Sequence, residues 1–354
     1  MFKLCVVGLG SIANKAHLPC LTRFEDVELY GCDLWEAPRE KAIANWNIPR
    51  ERMFSDLGEM IRKVQPDGIY LLVPQYSKSY GASIADSPYE SYANQILEAG
   101  IPLFVEKPLG VNAAQAQRLV QKARDCGVKT TMVGCQRRFN PLLQYGMKLI
   151  KERGPLLSAN FCFYKGMQAD NSDEKTIINH NWLTFDLIHV LDLALWVPGG
   201  KLLSMDSAVH YAPDNRVATC FDAMFNFDNN VSSHFSGNVR VGGRFLRFEL
   251  HTLGLSIFMS TVPDGGMHDM TAWIYRNDPT QDGHAFTPEP EIVRVGDVAP
   301  AEIPQAWSGF WGQARHFIER ASQKKSTDTS FESALETIKI CDRILEKADI
   351  PGKK

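Results

Sequence analysis

A glycine-rich turn near the start of the chain has the residue types needed to hold a phosphate group. The segment GLGSIA at residues 8–13 has the form G-x-G-x-x-A and follows the apolar run LCVV. In such a turn the first glycine allows a tight bend, and the second lets the backbone approach a pyrophosphate. The N–H groups that begin a following helix would also face the phosphates. The motif alone could be structural, but its place between a strand and a helix predicts a dinucleotide site that includes Gly8, Gly10, Ser11 and Ile12.

An acidic residue stands where the second strand of such a site would end. Asp33 follows the run VELYGC and lies 25 residues after Gly8. A carboxylate at this tip can accept hydrogen bonds from the adenosine ribose hydroxyls. Trp35 and Glu36 follow in place of an arginine-rich clamp, and a carboxylate pair repels a 2′-phosphate, so NAD is favoured over NADP. The alternative is an aspartate that only shapes a turn.

The elements that must position these residues are readable in the first third of the chain. Short apolar runs at 4–8, 27–32, 67–73, 101–106 and 129–134 alternate with helical stretches. Runs such as IYLLV are apolar without alternation, which is typical of parallel strands covered on both faces. This order predicts an α/β fold whose N-terminal domain is a doubly wound, Rossmann-type parallel sheet over residues 1–128.

The second half has a different pattern. A helical stretch from about 181 to 196 precedes several long β-like runs separated by glycine and asparagine turns. In FLRFELHTL, apolar and polar residues alternate, as in a half-buried antiparallel strand. We therefore expect residues 129–354 to form a C-terminal α+β domain with a large, open, mainly antiparallel sheet, and the closing helices could pack back on the first domain.

Composition excludes several classes of function. The net charge is −3 without a basic cluster, so neither nucleic acid nor a membrane surface is an expected partner. No apolar run approaches the roughly 20 residues that span a bilayer. The eight cysteines lack the spacing of a zinc clip or a redox pair. We expect reduced thiols, no metal and a cytoplasmic protein.

Three further motifs give the chain a family resemblance. They are VEKPL at 105–109, G-x-x-R-R-F-x-P at 134–141 and H-x-x-D-x-x-x-W at 189–196. Together with GLGSIA they resemble the Gfo/Idh/MocA oxidoreductases, in particular the MviM-like branch, over essentially the whole chain. The resemblance implies hydride transfer between nicotinamide and a secondary alcohol of a sugar or cyclitol. It also implies a homodimer or homotetramer formed through the C-terminal sheet.

Lys107 is the first catalytic candidate. It follows a parallel strand at its carboxyl end, where ligands of open α/β sheets gather. A lysine there can polarise the reacting oxygen and relay its proton. Glu106 would orient Lys107 or contact the cofactor, and a cis Lys107–Pro108 bond is compatible with the motif. The alternative is a surface lysine at a strand end.

His189 is the second catalytic candidate, as a general base or acid. It lies in an apolar helical stretch, where many histidines are only core residues, and the resemblance favours catalysis. Members of the family commonly carry an aspartate four residues earlier, where this chain has Phe185. Asp186 lies three residues earlier and could still orient the imidazole on a shared helix face. Asp192 is expected to be structural.

The remaining candidates follow from their places in the resemblance. Pro74 and Arg138 are expected at the cofactor, although Arg138 could only pair structurally. The substrate would meet Tyr164, Lys165 and Asn181, with Asn179 and His180 beside them. The loop at 74–87 is about eleven residues longer than the family pattern and carries Tyr76, Lys78 and Tyr80. We expect it to form a pocket wall or lid, since loops of this length are usually functional or disordered.

Two other functions stay open at this point. One is an NAD(P)H-dependent reductase of a non-sugar C=N or C=C bond, which the departure at Phe185 favours. The other is a nucleotide-binding protein without catalysis, against which the presence of both Lys107 and His189 argues.

Overall fold

Two compact units are present in a computed structural model of the chain. It describes residues 1–75, 87–166, 181–211, 218–261, 269–277, 289–299 and 304–347. The first unit consists of Met1–Cys135 with Phe310–Lys339, and the second of Gln136–Gly309 with the residues from Ile340 onward. The predicted class is confirmed, since one unit holds a parallel sheet and the other a large, mainly antiparallel sheet.

The sheet of the first unit has six parallel strands among the described residues. They are β1 (Phe2–Val7), β2 (Val27–Cys32), β3 (Met53–Phe54), β4 (Gly68–Leu71), β5 (Leu103–Val105) and β6 (Thr131–Val133). Their spatial order is β3-β2-β1-β4-β5-β6, so the winding reverses between β1 and β4. Every residue of β4, β5 and β6 is buried, as expected for strands covered on both faces. Ligands of such sheets gather at the carboxyl ends beside the reversal.

Helices connect these strands. They are α1 (Leu18–Leu21), α2 (Glu36–Trp46), α3 (Leu57–Val64), α4 (Tyr89–Glu98) and α5 (Ala113–Asp125). A π-helical turn, Ala13–His17, precedes α1. Asp56 and Asn112 accept backbone N–H bonds at 2.6 and 2.9 Å and thereby cap α3 and α5.

The sheet of the second unit has eight strands in its described part. They are β7 (Ser158–Gly166), β8 (Leu202–Tyr211), β9 (Ala218–Phe227), β10 (Ser232–Asn238), β11 (Arg240–Thr252), β12 (Leu255–Thr261), β13 (Met270–Arg276) and β14 (Glu291–Arg294). Their order is β14-β13-β12-β11-β7-β10-β9-β8. Neighbouring strands run antiparallel except β7 and β10, which are parallel.

One face of this sheet is covered by helices. The helical elements of the unit are the 3-10 turn Gln136–Phe139, α6 (Pro141–Arg153), the π-helical turn Leu183–Leu187, α7 (Ile188–Trp196), α8 (Val295–Val298) and α9 (Pro304–Trp307). α6 contacts β11 and β12, and α7 contacts β7 and β10. A Cβ at Gly237 would lie 2.7 Å from Leu187, so the glycine lets the π-helical turn approach the sheet closely.

The chain then returns to the first unit. α10 (Phe310–Ser322) is followed by α11 (Phe331–Glu346), and the segment between them lies along β6. The N–H of Val133 donates to the carbonyl of Thr329 at 2.8 Å, and Thr327 Oγ1 donates to the carbonyl of Thr131 at 2.7 Å. These bonds occupy backbone groups that an edge strand would otherwise expose.

The first unit runs to Cys135 and includes residues 310–339, beside predicted domains of 1–128 and 129–354 whose closing helices could pack back on the first. Thr131–Val133 pairs with Leu103–Val105, so the first unit extends to Cys135. Residues 310–339 belong to it as well, because their segment at 327–331 satisfies the outer edge of β6.

Candidate active site

The glycine turn follows β1 in a conformation that a side chain would strain. Gly8 has a φ of +90°, and a Cβ there would lie 3.0 Å from backbone atoms of both Leu72 and Val73. Only glycine accepts both the backbone angle and the close approach. Gly10, Ser11 and Ile12 are exposed, so their backbone is open to a ligand.

Asp33 is held beside this turn. Its Oδ2 accepts the N–H of Leu9 at 2.8 Å, and its Oδ1 accepts the N–H of Trp35 at 3.1 Å. The residue is 8% exposed. A carboxylate has about four acceptor positions, so both oxygens keep capacity for further donors. The two backbone bonds fix the carboxylate at the tip of β2.

A cation that was not among the predicted site residues lies at the same tip of β2. Arg39, in the first turns of α2, donates from Nη1 to the carbonyls of Asp33 and Leu34 at 2.6 and 3.1 Å. The sequence could have indicated this position, because Arg39 comes only six residues after Asp33, near the start of the helix that follows β2. The strand tip therefore carries a carboxylate and a guanidinium together.

Contacts on all sides hold the segment after β5. Glu106 Oε1 lies 2.7 Å from Nε2 of buried His17, and Glu106 Oε2 accepts the N–H of Lys107 at 3.2 Å. The carbonyl of Pro108 accepts a hydrogen bond from the Gln75 amide, and the Lys107–Pro108 peptide is cis. Lys107 is half-buried. Glu106 thus orients the segment that carries the lysine.

The His17–Glu106 contact is enclosed by aromatic rings. The rings of Tyr70, Phe104 and Phe310 meet the imidazole edge-on, with centroid distances of 5.3–5.5 Å. A Cβ at position 134 would lie 2.9 Å from Glu106 Oε1, so a side chain there would displace the Glu106 carboxylate. Rigid packing of this kind keeps a functional segment in one geometry.

In the second unit Asp186 pairs with Lys165. Lys165 Nζ and Asp186 Oδ2 are 2.5 Å apart, and both side chains are largely buried. Asp186 lies in the π-helical turn and His189 in the first turn of α7. A π-helical turn has i→i+5 hydrogen bonds in place of the i→i+4 bonds of an α-helix. The Asp186 carboxylate is thus held by the lysine of β7.

The predicted substrate residues of the second unit do not share one surface. Tyr164 hydrogen-bonds Ser236 at 3.2 Å. Because side chains alternate along a strand, Tyr164 and Lys165 lie on opposite faces of the sheet. Lys165 is on the helix-covered face. Asn181 accepts the N–H of Thr184 at 3.2 Å and so begins the π-helical turn.

Arg138 has a partner within its own unit. Its Nε and Nη2 donate to Asp192 at 2.7 and 2.6 Å, and both side chains are almost completely buried. The guanidinium also stacks on Trp196, 5.2 Å from the ring centroid. Of the two interpretations of Arg138, the structural pair is the one that these contacts support, and Asp192 is its counter-ion.

The predicted residues are divided between the units. Gly8, Gly10, Ser11, Ile12, Asp33, Pro74, Glu106 and Lys107 belong to the first, and Arg138, Tyr164, Lys165, Asn181, Asp186 and His189 to the second. Asn179, His180 and the residues 76–86 of the long loop lie outside the described residues.

Comparison with known proteins finds a family match for the first part of the chain. Residues 2–135 match the GFO_IDH_MocA model, an oxidoreductase family with an NAD-binding Rossmann fold. The resemblance predicted from the motifs is confirmed over these residues, and the match supports a nucleotide-binding oxidoreductase.

Relatives of this family extend over the rest of the chain. The YceM protein of Salmonella typhimurium, named as an oxidoreductase, is 25% identical over 94% of this chain and 94% of its own length. The inositol 2-dehydrogenase of Paracoccus denitrificans is 32% identical over 39% of this chain and 38% of that protein. The crystal structure of the MviM dehydrogenase of Clostridium difficile has a TM-score of 0.75 at 21% identity, covering 98% of this chain and 99% of that one. At that identity the structural likeness shows the fold alone.

Neither a metal cluster nor a membrane span is found in the part of the chain that the structure describes. No group of three or more His, Cys, Asp or Glu side chains there could hold a metal ion. No helix there combines the length and apolarity needed to cross a bilayer. The eight cysteines are all described, and all are free thiols.

Proposed function

We propose that this Gfo/Idh/MocA oxidoreductase uses NAD to interconvert a secondary alcohol and a ketone on a sugar, a cyclitol or a sugar derivative. The observation that carries the proposal is the Asp33 carboxylate, which two N–H groups hold beside the glycine turn. A carboxylate fixed there can accept hydrogen bonds from ribose hydroxyls and repels a 2′-phosphate. The relatives named inositol 2-dehydrogenase support a cyclitol-like substrate class.

The residues of the first unit fit a nicotinamide dinucleotide. Gly8 leaves no room for a Cβ, and the exposed backbone of Gly10 and Ser11 can meet a pyrophosphate. Asp33 would hold the adenosine ribose, and Ile12 and Pro74 would contact the cofactor from the ends of neighbouring strands. When bound, the nicotinamide accepts or supplies the hydride.

Lys107 and His189 would manage the proton that accompanies this transfer. In our proposal the Lys107 amine donates a hydrogen bond to the reacting oxygen, and His189 accepts or returns the proton. Lys165, Asn181 and Asp186 would contact the hydroxyl groups of the substrate, with Tyr164 as the weakest candidate because it lies on the other sheet face.

One observation favours a second candidate function, reduction of a C=N or C=C bond. The Asp186 carboxylate is held by Lys165 at 2.5 Å, and Phe185 replaces the family aspartate. This departure from the usual dehydrogenase pattern favours such a reduction over alcohol oxidation.

A spectrophotometric screen at the nicotinamide absorbance band tests the proposal. Polyols, keto-sugars, imines and enones are each offered with NAD(H) and with NADP(H). Turnover of a polyol or keto-sugar with NAD(H) is the expected result. Turnover restricted to imines or enones would favour the second candidate. Tight cofactor binding without turnover of any compound would indicate a nucleotide-binding protein without catalysis.

We expect Asp33→Asn to lower the affinity for NADH by about tenfold, because a hydrogen bond to a charged group contributes about 1.5–3 kcal/mol. Affinity for NADPH should not fall, since the substitution removes a charge that repels the 2′-phosphate and leaves Arg39 in place. Fluorescence titration of both cofactors measures the change. Asp26→Asn, at an exposed ion pair in the same unit, is the charge-matched control. Equal losses for both cofactors would contradict the assignment.

We also propose assembly into a homodimer or homotetramer through the sheet face that carries no helices. Met224 and Phe245 are more than one-third exposed there, which supports this surface as a contact between copies. Light scattering that gives the mass of a single chain would contradict it.

A further inference from the structure

Asn14 binds two carbonyl groups of the glycine turn. Its Nδ2 donates to the carbonyl of Leu9 at 2.7 Å and to the carbonyl of Gly10 at 2.9 Å. Its backbone N–H donates to the same Gly10 carbonyl at 3.2 Å. Asn14 is the second residue of the π-helical turn Ala13–His17, so it comes directly after the segment GLGSIA in the fold. The side chain thus holds both carbonyls on the helix side of the turn.

The amide of Asn14 is itself held in one orientation by Trp46, the last residue of α2. The Trp46 Nε1–H donates to Asn14 Oδ1 at 2.9 Å, across 32 positions of the chain. An indole nitrogen donates and does not accept. The amide oxygen therefore has to face Trp46, and the NH2 group has to face the glycine turn. Both side chains are half-buried.

The bonds from Asn14 also aim the N–H groups of the turn. In a planar trans peptide the carbonyl of one residue and the N–H of the next point in opposite directions. The N–H groups of Gly10 and Ser11 are therefore directed away from Asn14, and both residues are exposed. The N–H of Leu9 is bound by Asp33 instead. A Cβ at Gly10 would meet no atom within 4 Å among the described residues, so the space beside it is open.

Glycine alone does not choose this orientation of the peptides. A glycine accepts backbone angles on both sides of the φ axis, so it permits the turn and also permits its alternatives. A carbonyl turned outward would bring partial negative charge against a phosphate, whereas an outward N–H donates to it. Asn14 and Trp46 therefore stabilise the face of the turn that carries donors.

We propose that Asn14, oriented by Trp46, is a positioning residue for the dinucleotide. It acts through the backbone, by holding the N–H groups of Gly10 and Ser11 ready for the pyrophosphate before the cofactor arrives. Donors that are ordered in advance raise affinity, because binding no longer has to order them. The inference rests on the function proposed above, since it takes a nicotinamide dinucleotide as the ligand.

The neutral variant Asn14→Leu tests this role by removing both donors at nearly constant size. We expect affinity for NADH, NADPH and ADP-ribose to fall together by about tenfold, because hydrogen bonds to the charged pyrophosphate weaken. Adenosine has no pyrophosphate, and its affinity, measured by competition with NADH, should change by less than about twofold. This pattern differs from that of Asp33→Asn, which is expected to spare NADPH.

Two further variants make the result specific to the amide. Trp46→Phe keeps Asn14 but removes the donor that orients it, so the same three ligands should lose about threefold in affinity. Asn45→Leu makes the same chemical change at an exposed residue of α2, and it should leave all four affinities unchanged.

Steady-state kinetics with the best compound of the screen separates positioning from damage to the fold. The π-helical turn that begins beside Asn14 ends at His17, which holds Glu106 and through it the Lys107 backbone. Structural damage in Asn14→Leu would reach the lysine and lower kcat. A positioning role instead raises KM for NADH about tenfold and leaves kcat at saturating NADH within about twofold.

The outcomes distinguish this inference from the proposed function. Wild-type affinity for NADH in Asn14→Leu would refute the positioning role alone. An equal loss for adenosine and NADH, or a fall in kcat without a change in KM, would show a structural role and refute it as well. A wild-type protein that binds neither NADH nor NADPH would refute the proposed function, and the inference with it.

Discussion

Lys107→Ala should lower kcat by about 100- to 10,000-fold, the usual contribution of a positioned proton-transfer group. Lys107 follows β5 at the carboxyl end of the parallel sheet, one strand away from the reversal of the winding. Its backbone is fixed by Glu106, which His17 holds in turn. Because Asp33 and the glycine turn hold the other half of the dinucleotide, NADH affinity should change by less than about threefold.

Stopped-flow or steady-state kinetics with the best compound of the screen measures kcat, and fluorescence titration measures NADH affinity. Lys122→Ala is the matched control, because that lysine lies on α5 of the same unit and pairs with Glu98 near the surface. Lys107→Arg adds a second discrimination. Arginine keeps the positive charge but does not release its proton at ordinary pH, so it should not restore turnover. Wild-type kcat in Lys107→Ala would remove the residue from the mechanism.

The fold was predictable wherever the signal was local. Apolar runs and turn residues gave the parallel strands, and alternation in FLRFELHTL gave the antiparallel sheet. The limits of the units were not predictable in this way. Thr131–Val133 belongs to the first sheet because residues near Thr329 satisfy its outer edge, and a pairing across almost 200 residues leaves no periodic signal.

The site was predictable at positions where only one residue type fits the local geometry. Gly8 combines a positive φ with a backbone contact that only glycine tolerates, and the strand end explains Asp33. The pairing of Asp186 with Lys165 was not predictable, because it joins a helical turn to a strand 21 residues earlier in the chain. Arg137 and Arg138 look alike in the sequence. Only the position of Asp192 in the folded unit separates them.

The contacts around Lys107 explain why the VEKPL motif includes residues beside the lysine. Glu106 contacts His17 and the Lys107 backbone, and Gly134 leaves room for the Glu106 carboxylate. These residues come from three separate parts of the chain, 17, 106 and 134, that meet at one end of the sheet. A lysine on an unsupported loop would lack this fixed geometry. Proton transfer is sensitive to displacements of about 1 Å.

Arg138→Met should destabilise the protein by about 3–5 kcal/mol, the cost of leaving one partner of a buried ion pair unpaired. Asp192 is 0% exposed and would keep its charge without the two hydrogen bonds that Arg138 donates at 2.6 and 2.7 Å. The packing of the guanidinium on Trp196 would be lost as well. Urea unfolding followed by far-UV circular dichroism measures the change in the free energy of unfolding. Arg343→Met, at an exposed position of α11, should change it by less than about 0.5 kcal/mol.

The double variant Arg138→Met with Asp192→Leu distinguishes an unpaired charge from lost packing. Replacing both partners by apolar side chains removes the uncompensated charge, so most of the stability should return. If the double variant were as unstable as Arg138→Met, packing on Trp196 would be the dominant contribution instead of the ion pair.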